Sequence, residues 1–239
     1  MTESFNKTKA PSKIWQRLFK PPIPQKDEFD HILEFALELE KSNPESLISL
    51  VRALLRPLQS DLLISAIERE AHKARGEVES YKFFMPYGPT RLQMGLESPQ
   101  LNPDDFTIQL SCDPILPCPW QRDRYTGTLS YIGKGKKAGV WREDSNHKAV
   151  IWLPWGIVFV HGGNHSIAAG ILSGEGTLKP SEVYDMTPLL EQIECDGNNY
   201  LSKPDRTTIC KVHDKRIAAI FEIGRIMKRQ NITPMQGML

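Results

Sequence analysis

Residues 149–172 read AVIWLPWGIVFVHGGNHSIAAGIL, and this stretch decides the fold. Two short apolar runs lie on either side of Pro154-Trp155, a pattern typical of two strands joined by a tight turn. The glycine pair 162–163 breaks the second run. The alanine-rich residues after it favour a short helix that ends near Gly174. The stretch therefore predicts a hairpin followed directly by a strand-to-helix turn.

The turn Gly162-Gly163-Asn164-His165-Ser166 is the best candidate for a functional site. Its glycines permit a positive φ and leave room for a ligand, and Asn164 is expected to be the N-cap of the helix. The first backbone N–H groups of such a helix have no acceptor within the helix, so they form a natural anion site. His165 adds a donor, and Ser166 adds a hydroxyl. A purely structural role, as a sharp turn with a hydrogen-bonded histidine, accounts for the same residues equally well.

The same residues resemble a known family. A strand followed by Gly-Gly-x-His-x-x-x-Ala at residues 162–169 is similar to the phosphate-binding turn of the ParB/sulfiredoxin superfamily. The segment Asp113–Pro117 is similar to the proline-rich segment that opens ParB domains. The resemblance is strongest over residues 149–184, where the strands occur in the order that this fold needs. It implies a divergent bacterial member of the superfamily, in which Gly163 and His165 contact a nucleotide phosphate.

Two positions depart from the pattern of that superfamily. Asn164 stands where sulfiredoxins have their catalytic cysteine. Asparagine cannot form the sulfur-linked intermediate, so sulfinic-acid reduction at this position is excluded. Ser166 stands where the superfamily has an arginine, which removes a bidentate phosphate clamp. A bound nucleotide therefore needs a cation from elsewhere in the chain.

The segment Ile132–Gly139, IGKGKKAG, offers such a cation. It lacks the spacing of a Walker A loop, and a solvated loop is a sufficient explanation for its charge. Beside a phosphate-binding turn, Lys134, Lys136 and Lys137 are candidates to clamp a nucleotide or a nucleic-acid backbone. Four aromatic residues interleave with the charges of this region: Trp120, Tyr125, Tyr131 and Trp141. They are candidates to stack on bases, although the faces of ordinary strands account for them as well.

Candidate acid–base or metal-binding residues are spread through the same half of the chain. They comprise Asp144, His147, His161, Glu175, Glu182 and Asp185. No pair among them has the spacing of a known metal motif, so no metal site is predicted. After His165, His161 is the second candidate for a catalytic role. It lies at the end of a strand, where open α/β sites collect polar residues.

Composition places the chain among ordinary globular proteins. Its 239 residues include 30 Lys and Arg against 29 Asp and Glu, so net charge gives no general attraction to nucleic acid or membranes. No apolar run approaches the ~20 residues that span a bilayer. The N-terminus lacks the apolar core of a secretion signal, and the four cysteines lack paired spacing. A cytoplasmic protein with no membrane partner is expected.

The pattern along the chain predicts four regions and an α+β fold class. Residues 1–26 are basic and proline-containing and predict an extended arm. Residues 27–76 predict a helical segment, and residues 77–111 predict loops and short strands. Residues 112–232 hold the α/β domain that resembles the ParB/sulfiredoxin superfamily. The helical segment is expected to pack on the small mixed sheet of that domain.

Helical spacing predicts four longer helices: residues 27–41, Pro44 to before Pro57, residues 58–73 and residues 213–230. The stretch Tyr125–Ile132 alternates around glycine and serine and predicts a strand. The apolar stripes of the N-terminal helices favour burial within the same chain over an interface with another chain.

Three functions remain open from the sequence. The first is a ParB/sulfiredoxin-like nucleotide- or phosphate-binding protein, such as a phosphotransferase or nucleotide hydrolase, that takes a nucleoside triphosphate with magnesium. The second is a ParB-like nucleic-acid-binding protein or nuclease that uses the basic stretch. The third is a non-catalytic module that binds a protein partner through the N-terminal arm and helices. Nucleotide binding that His165→Ala weakens favours the first, and salt-sensitive binding through the lysines favours the second.

Overall fold

The computed structural model of the chain describes residues 26–68, 78–86 and 98–236. These residues form an α+β structure, which confirms the predicted fold class at that level. Of the predicted extended arm at residues 1–26, only Lys26 lies in the described part of the chain. Within that same part, no helix combines the length and the apolar character that crossing a membrane requires.

Among the described residues, two helices come first and are followed by short strands and four further helices. The α-helices in the described residues are α1 (Glu28–Ser42), α2 (Ser46–Glu68), α3 (Arg122–Tyr131), α4 (Asn164–Ser173), α5 (Thr187–Gln192) and α6 (Lys215–Arg229). The first five strands are β1 (Gln100–Leu101), β2 (Ile108–Gln109), β3 (Ile115–Leu116), β4 (Lys148–Leu153) and β5 (Ile157–Gly162). The others are β6 (Thr177–Leu178), β7 (Glu182–Asp185), β8 (Ile193–Cys195), β9 (Asn199–Ser202) and β10 (Thr208–Lys211). Single turns of 3₁₀ helix lie at Ser80–Lys82 and Pro103–Asp105.

A mixed sheet of five strands, in the order β1-β7-β4-β5-β3, forms the centre of the fold. β4 and β5 are antiparallel neighbours, with Val150 opposite Phe159 and Trp152 opposite Ile157. β7 runs parallel to β4, and β3 runs parallel to β5. The predicted hairpin is therefore confirmed, and it occupies the middle of the sheet. Two smaller antiparallel sheets are formed by β8, β9 and β10 and by β2 and β6.

Both faces of the β4–β5 hairpin are buried, which explains why its sequence is continuously apolar instead of alternating. Val150, Trp152 and Phe159 belong to a core that also includes residues of α1, α2 and α6. Ile151 and Val158 belong to a second core that includes residues of α4. The sheet thus lies between α1 and most of α2 on one side and α4 on the other; only the last turns of α2 reach the cluster that includes α4.

α1 and α6 lie side by side and close the first core. Asp27 pairs with Lys215 at 2.7 Å, and Glu40 pairs with Arg229 at 2.8 Å. These ion pairs join the first turns and the last turns of the two helices, so the helices run parallel. Both lie where helical spacing predicts them, and the expected burial of the N-terminal helices within the chain is confirmed.

α6 approaches the turn of the hairpin closely at Gly224. A β-carbon there would lie 2.1 Å from Nε1 of Trp155, so only glycine lets the helix come this near. The same Nε1 donates a hydrogen bond of 2.8 Å to the carbonyl of Ile220. The backbone of α6 therefore fixes the tryptophan of the hairpin turn in the core.

α2 is one continuous helix, so the predicted break before Pro57 is wrong. Proline inside a helix costs about 3 kcal/mol or more, through a lost hydrogen bond and a steric clash. The buried residues of α2 include Leu47, Val51, Leu55 and Leu62. Each buried leucine or valine contributes about 1.5–3 kcal/mol, so packing along this face outweighs the proline. Residues 69–73 of the predicted third helix lie outside the described residues.

The predicted strand at Tyr125–Ile132 is also wrong, because α3 covers this stretch. Within α3 only Tyr125 is buried, so the sequence lacks the apolar stripe by which a helix is recognised. The hydroxyls of Thr128 and Ser130 donate to backbone carbonyls one turn earlier, at 2.7 and 2.8 Å, and are thus satisfied within the helix. α3 packs against α4 and α2 through a small cluster around Tyr125.

Candidate functional site

The turn between β5 and α4 has its positive φ at Gly163, where φ is +75°. The carbonyl of Gly163 accepts the first hydrogen bond of the helix, from the N–H of Ile167 at 2.9 Å. Gly163 is therefore the N-cap, and the predicted N-cap Asn164 is instead the first residue of α4. Glycine suits this position because the left-handed conformation is costly for residues with a β-carbon.

The space beside the two glycines is filled by the loop that precedes β4. A β-carbon on Gly162 would lie 2.5 Å from the carbonyl oxygen of Asn146. A β-carbon on Gly163 would lie 2.3 Å from Cδ2 of His147. The expectation that the glycines leave room for a ligand is therefore corrected, since the chain itself makes the close approach. The glycines position the loop and its histidine against the start of α4.

The side chains of Asn164 and His165 hold the segment that leads into α3. The Oδ1 atom of Asn164 accepts a hydrogen bond from the N–H of Cys118 at 2.7 Å. The Nε2 atom of His165 accepts one from the N–H of Gln121 at 3.1 Å. Burial lowers the pKa of His165, and the nearby charge of Arg124 acts in the same direction. His165 is thus neutral at pH 7 with its proton on Nδ1, so it offers a donor without a positive charge.

Ser166 is held from the other side by Trp141. The indole Nε1 of Trp141 donates to the backbone carbonyl of Ser166 at 2.8 Å and to its Oγ at 3.0 Å. The hydroxyl of Ser166 accepts in this contact, so its own proton remains available as a donor. The ring of Trp141 also packs against His147, with 4.8 Å between ring centroids.

His147 is a buried histidine with one nitrogen left without a partner. Its side chain is 1% exposed, and its Nδ1 accepts a hydrogen bond from the backbone N–H of Asp144 at 2.8 Å. Burial lowers the pKa of His147 despite the carboxylates of Asp144 and Glu143 nearby. The neutral ring therefore carries its proton on Nε2, and this atom has no hydrogen-bond partner among the described residues. An unsatisfied buried donor costs about 1–3 kcal/mol, which an acceptor would recover.

An open cleft of about 820 Å³ lies over the start of α4. The turn contributes His161 and the five residues from Gly162 to Ser166 to its lining. The loop before β4 contributes Asp144 and His147. The helix α3 contributes Arg124 and Tyr131, and the segment just before it contributes Trp120. The cleft therefore brings together six of the nine residues predicted to bind or catalyse, including both candidate catalytic histidines.

The three lysines of the basic stretch do not line this cleft. The Lys136 ammonium donates to the carbonyl of Leu129, and the Lys137 ammonium lies 5.7 Å from the centroid of the Tyr131 ring. Lys134 is exposed, and its backbone N–H donates to Glu175 at 3.0 Å. The binding role of these lysines stays a prediction, because none of the three lines the cleft.

Arg124 is the cation that the sequence analysis missed. It lies in the first turn of α3, and its guanidinium carbon is 5.9 Å from the centroid of the Trp120 ring. Trp120 lies two residues before α3, so helical spacing in the sequence does not link it to Arg124. Because the region lacks an apolar stripe, the contact between the two side chains becomes visible only once α3 is known.

Among the described residues that line the cleft, Asp144 carries the one carboxylate, and its side chain is largely exposed. Among the residues that the structure describes, no group of three or more His, Cys, Asp or Glu side chains has an arrangement that would hold a metal ion. Mg²⁺ is commonly held through one or two carboxylates together with the phosphates of its ligand. Asp144 is therefore the residue that would contact Mg²⁺ brought in with a nucleotide.

Residues 7–234 match a family described as a family of unknown function (DUF6710). The chain belongs to this family. No curated protein and no solved structure matches the chain significantly. Membership of the DUF6710 family assigns no ligand and makes no link to the ParB/sulfiredoxin superfamily, so that resemblance stays a prediction. The geometry of the cleft is the basis for the functional proposal.

Proposed function

We propose that the protein binds a phosphate-bearing ligand, a nucleotide or inorganic phosphate, in the cleft at the start of α4. One observation carries this proposal. The buried Nε2–H of His147, which lacks a partner among the described residues, lies beside Gly163 at the N-terminus of the helix. A phosphate oxygen is an acceptor that would satisfy this donor and the helix terminus together.

The donors at the start of α4 carry no full charge. The backbone N–H groups of Asn164, His165 and Ser166 belong to the first turn of α4, where no acceptor exists within the helix. The helix dipole adds a partial positive charge at the same end. Neutral imidazole donors, Nε2–H of His147 and Nδ1–H of His165, complete the set. Such fixed dipoles suit an oxyanion, because they are already oriented when it arrives.

Arg124 supplies the full positive charge that this set lacks. It lines the same cleft from the opposite wall, on α3. The resemblance to the ParB/sulfiredoxin superfamily implies an arginine at the position of Ser166. Arg124 is the residue in this chain that would perform the bidentate contact to phosphate.

A phosphotransferase or nucleotide hydrolase is the class of reaction that fits this arrangement. His161 is exposed in the cleft at the end of β5, where it would transfer a proton to or from a reacting group. Magnesium, held by Asp144 and the phosphates, would neutralise charge that develops on the phosphoryl group. Nucleic-acid binding is the second candidate. It draws on the exposed Trp120 and Tyr131, but the lysines it invokes lie outside the cleft.

The test compares Arg124→Ala with Lys134→Ala. Each variant removes one exposed cation, the first from the cleft and the second from the basic stretch. Calorimetric titration with inorganic phosphate, AMP, ADP and ATP, with and without Mg²⁺, should give binding to the wild type. Arg124→Ala should weaken that binding about tenfold or more, because a hydrogen bond to a charged group is worth about 1.5–3 kcal/mol. Lys134→Ala should leave it close to the wild-type value.

Histidine-selective ¹⁵N labelling gives an independent readout of the same site. The Nε2 resonance of His147 should show a protonated nitrogen in the free protein and should shift when phosphate is added. The proposal is wrong if no phosphate compound binds, or if the Nε2 resonance of His147 stays unchanged at saturation. Equal losses in Arg124→Ala and Lys134→Ala would also reject it, since they would indicate general charge attraction.

A further inference from the structure

We infer that Trp120 and Arg124 form a ring-binding wall, which stacks on a planar heteroaromatic ring attached to the bound phosphate group. The inference rests on the proposed function and specifies the class of ligand. The cleft would take a single nucleoside phosphate and discriminate against phosphate esters that lack a ring.

Trp120 is unusually exposed for its size. It is 54% exposed, although tryptophan is one of the side chains that gain most from burial. Its indole lines the cleft, so the exposed surface borders the same space as the start of α4. An exposed tryptophan inside a cleft is a common feature of ligand-binding surfaces.

The indole is held in place by two neighbours of the site. The ring of His165 lies 5.9 Å from the ring of Trp120, at an interplanar angle of 61°. The guanidinium of Arg124 lies 5.9 Å from the indole centroid, within the range of a cation–π contact. Because His165 also belongs to the phosphate-binding turn, the ring-binding wall and that turn have a fixed spacing.

Both members of the wall are suited to heteroaromatic rings. Bases stack on the faces of aromatic side chains and on guanidinium planes, with little dependence on base identity. Tyr131, 48% exposed, extends the aromatic surface at the other end of α3. The wall therefore favours any base over no base, and it carries no pattern of polar groups that would select one base.

The size of the cleft favours one nucleotide over a nucleic-acid strand. Its volume of about 820 Å³ lies within the range typical of small-ligand sites, roughly 300–1,000 Å³. Strand binding relies on a groove with cations along the backbone path. Among the described residues that line this cleft, Arg124 is the only lysine or arginine.

The test measures the preference for a ring as a ratio of two affinities. Calorimetric titration would compare AMP and CMP with ribose 5-phosphate, which carries the same sugar phosphate without a base. The wild type should bind the nucleotides about 5- to 150-fold more tightly, the usual value of one stacked base. Trp120→Ala should bring the ratio close to one, and Trp120→Phe should keep a large part of it. Unchanged circular dichroism would verify that the variants fold.

The outcomes separate this inference from the proposed function. If ribose 5-phosphate and the nucleotides bind the wild type equally, the ring-binding wall is rejected while phosphate binding stands. The same holds if Trp120→Ala leaves the ratio unchanged. If neither the nucleotides nor ribose 5-phosphate binds, the ring-binding wall is rejected. The titrations with inorganic phosphate, ADP and ATP then decide the proposed function. Much tighter binding of a ten-residue oligothymidylate than of TMP, lost at high salt, would reject a mononucleotide site in favour of a nucleic-acid surface.

Discussion

The imidazole of His147 packs directly against Gly163, so closely that a β-carbon on the glycine would lie 2.3 Å from Cδ2 of the ring. The contact joins the loop before β4 to Gly163, the N-cap of α4. It also brings the Nε2–H of His147, which has no partner among the described residues, to the N-terminus of α4. The stability of this turn and the phosphate binding that we propose for it therefore depend on the same contact.

Gly163→Ala should destabilise the protein by about 2 kcal/mol or more, because it adds a steric clash with His147 to the cost of a left-handed residue. The matched control is Gly174→Ala at the other end of α4. Gly174 also has a positive φ, +66°, but a β-carbon there meets nothing within 4 Å. Unfolding in denaturant measures the free energy of unfolding of both variants. Equal losses of stability in the two variants would contradict the contact between Gly163 and His147.

Acidification should reduce stability through His147 and His165, because burial lowers the pKa of each. A histidine whose pKa is lowered by folding binds its proton at a higher pH in the unfolded chain than in the folded protein. The stabilisation is therefore complete above the unfolded pKa, about 6.5, and is lost as the pH falls towards the folded value. Unfolding free energies between pH 7.5 and 5.5 measure the slope. The slope should be smaller in His147→Gln, and an identical slope would show that His147 is not one of the groups responsible.

Asn164→Asp should distinguish the structural role of Asn164 from the effect of this position on phosphate binding. Aspartate keeps the oxygen that accepts from the N–H of Cys118, and a negative charge is favourable in the first turn of a helix, so stability should be retained. The same charge should repel phosphate and weaken its binding. Asn164→Ala should instead cost about 1–3 kcal/mol of unfolding free energy, because it leaves the N–H of Cys118 without its acceptor. Phosphate binding to Asn164→Asp at wild-type affinity would place the anion elsewhere.

Gly224→Ala should cost about 1–3 kcal/mol, because the added methyl group overlaps Nε1 of Trp155 and displaces its hydrogen bond to Ile220. Gly127→Ala in α3 is the matched helical control. A β-carbon at Gly127 meets nothing within 4 Å, so alanine should be neutral or stabilising by about 0.4–1 kcal/mol. Thermal unfolding of both variants gives the comparison, and a neutral Gly224→Ala would mean that Trp155 can move aside.

The parts of the fold that the sequence predicts are those with a strong local pattern. The β4–β5 hairpin and α4 follow from continuous apolar runs and from the glycines that end them. α3 has no such pattern, because it touches the core through little more than Tyr125. α2 has the pattern, but Pro57 suggests a break that packing overrides.

In the candidate site, too, the residues with a strong local sequence pattern are predictable and the others are not. The turn itself is predictable, since glycine and histidine at a strand end have a direct chemical meaning. Trp120 is predicted as a candidate to stack on bases, but Arg124 is not predictable, because its position in the cleft depends on α3 being a helix. The role of His147 is not predictable either. Its neutral form and its contact with Gly163 arise from a loop closure that brings distant parts of the chain together.

The hydrogen bonds of Asn164 and His165 to the segment before α3 have a consequence for how a ligand enters. They join the segment that carries Trp120 to the start of α4. The distance between these two sides of the cleft is therefore already set in the folded protein. The entropy of ordering both sides is lost during folding and not during binding. A ligand that fits this width should therefore bind without a change in the spacing of the two sides, and a thicker ligand should bind more weakly.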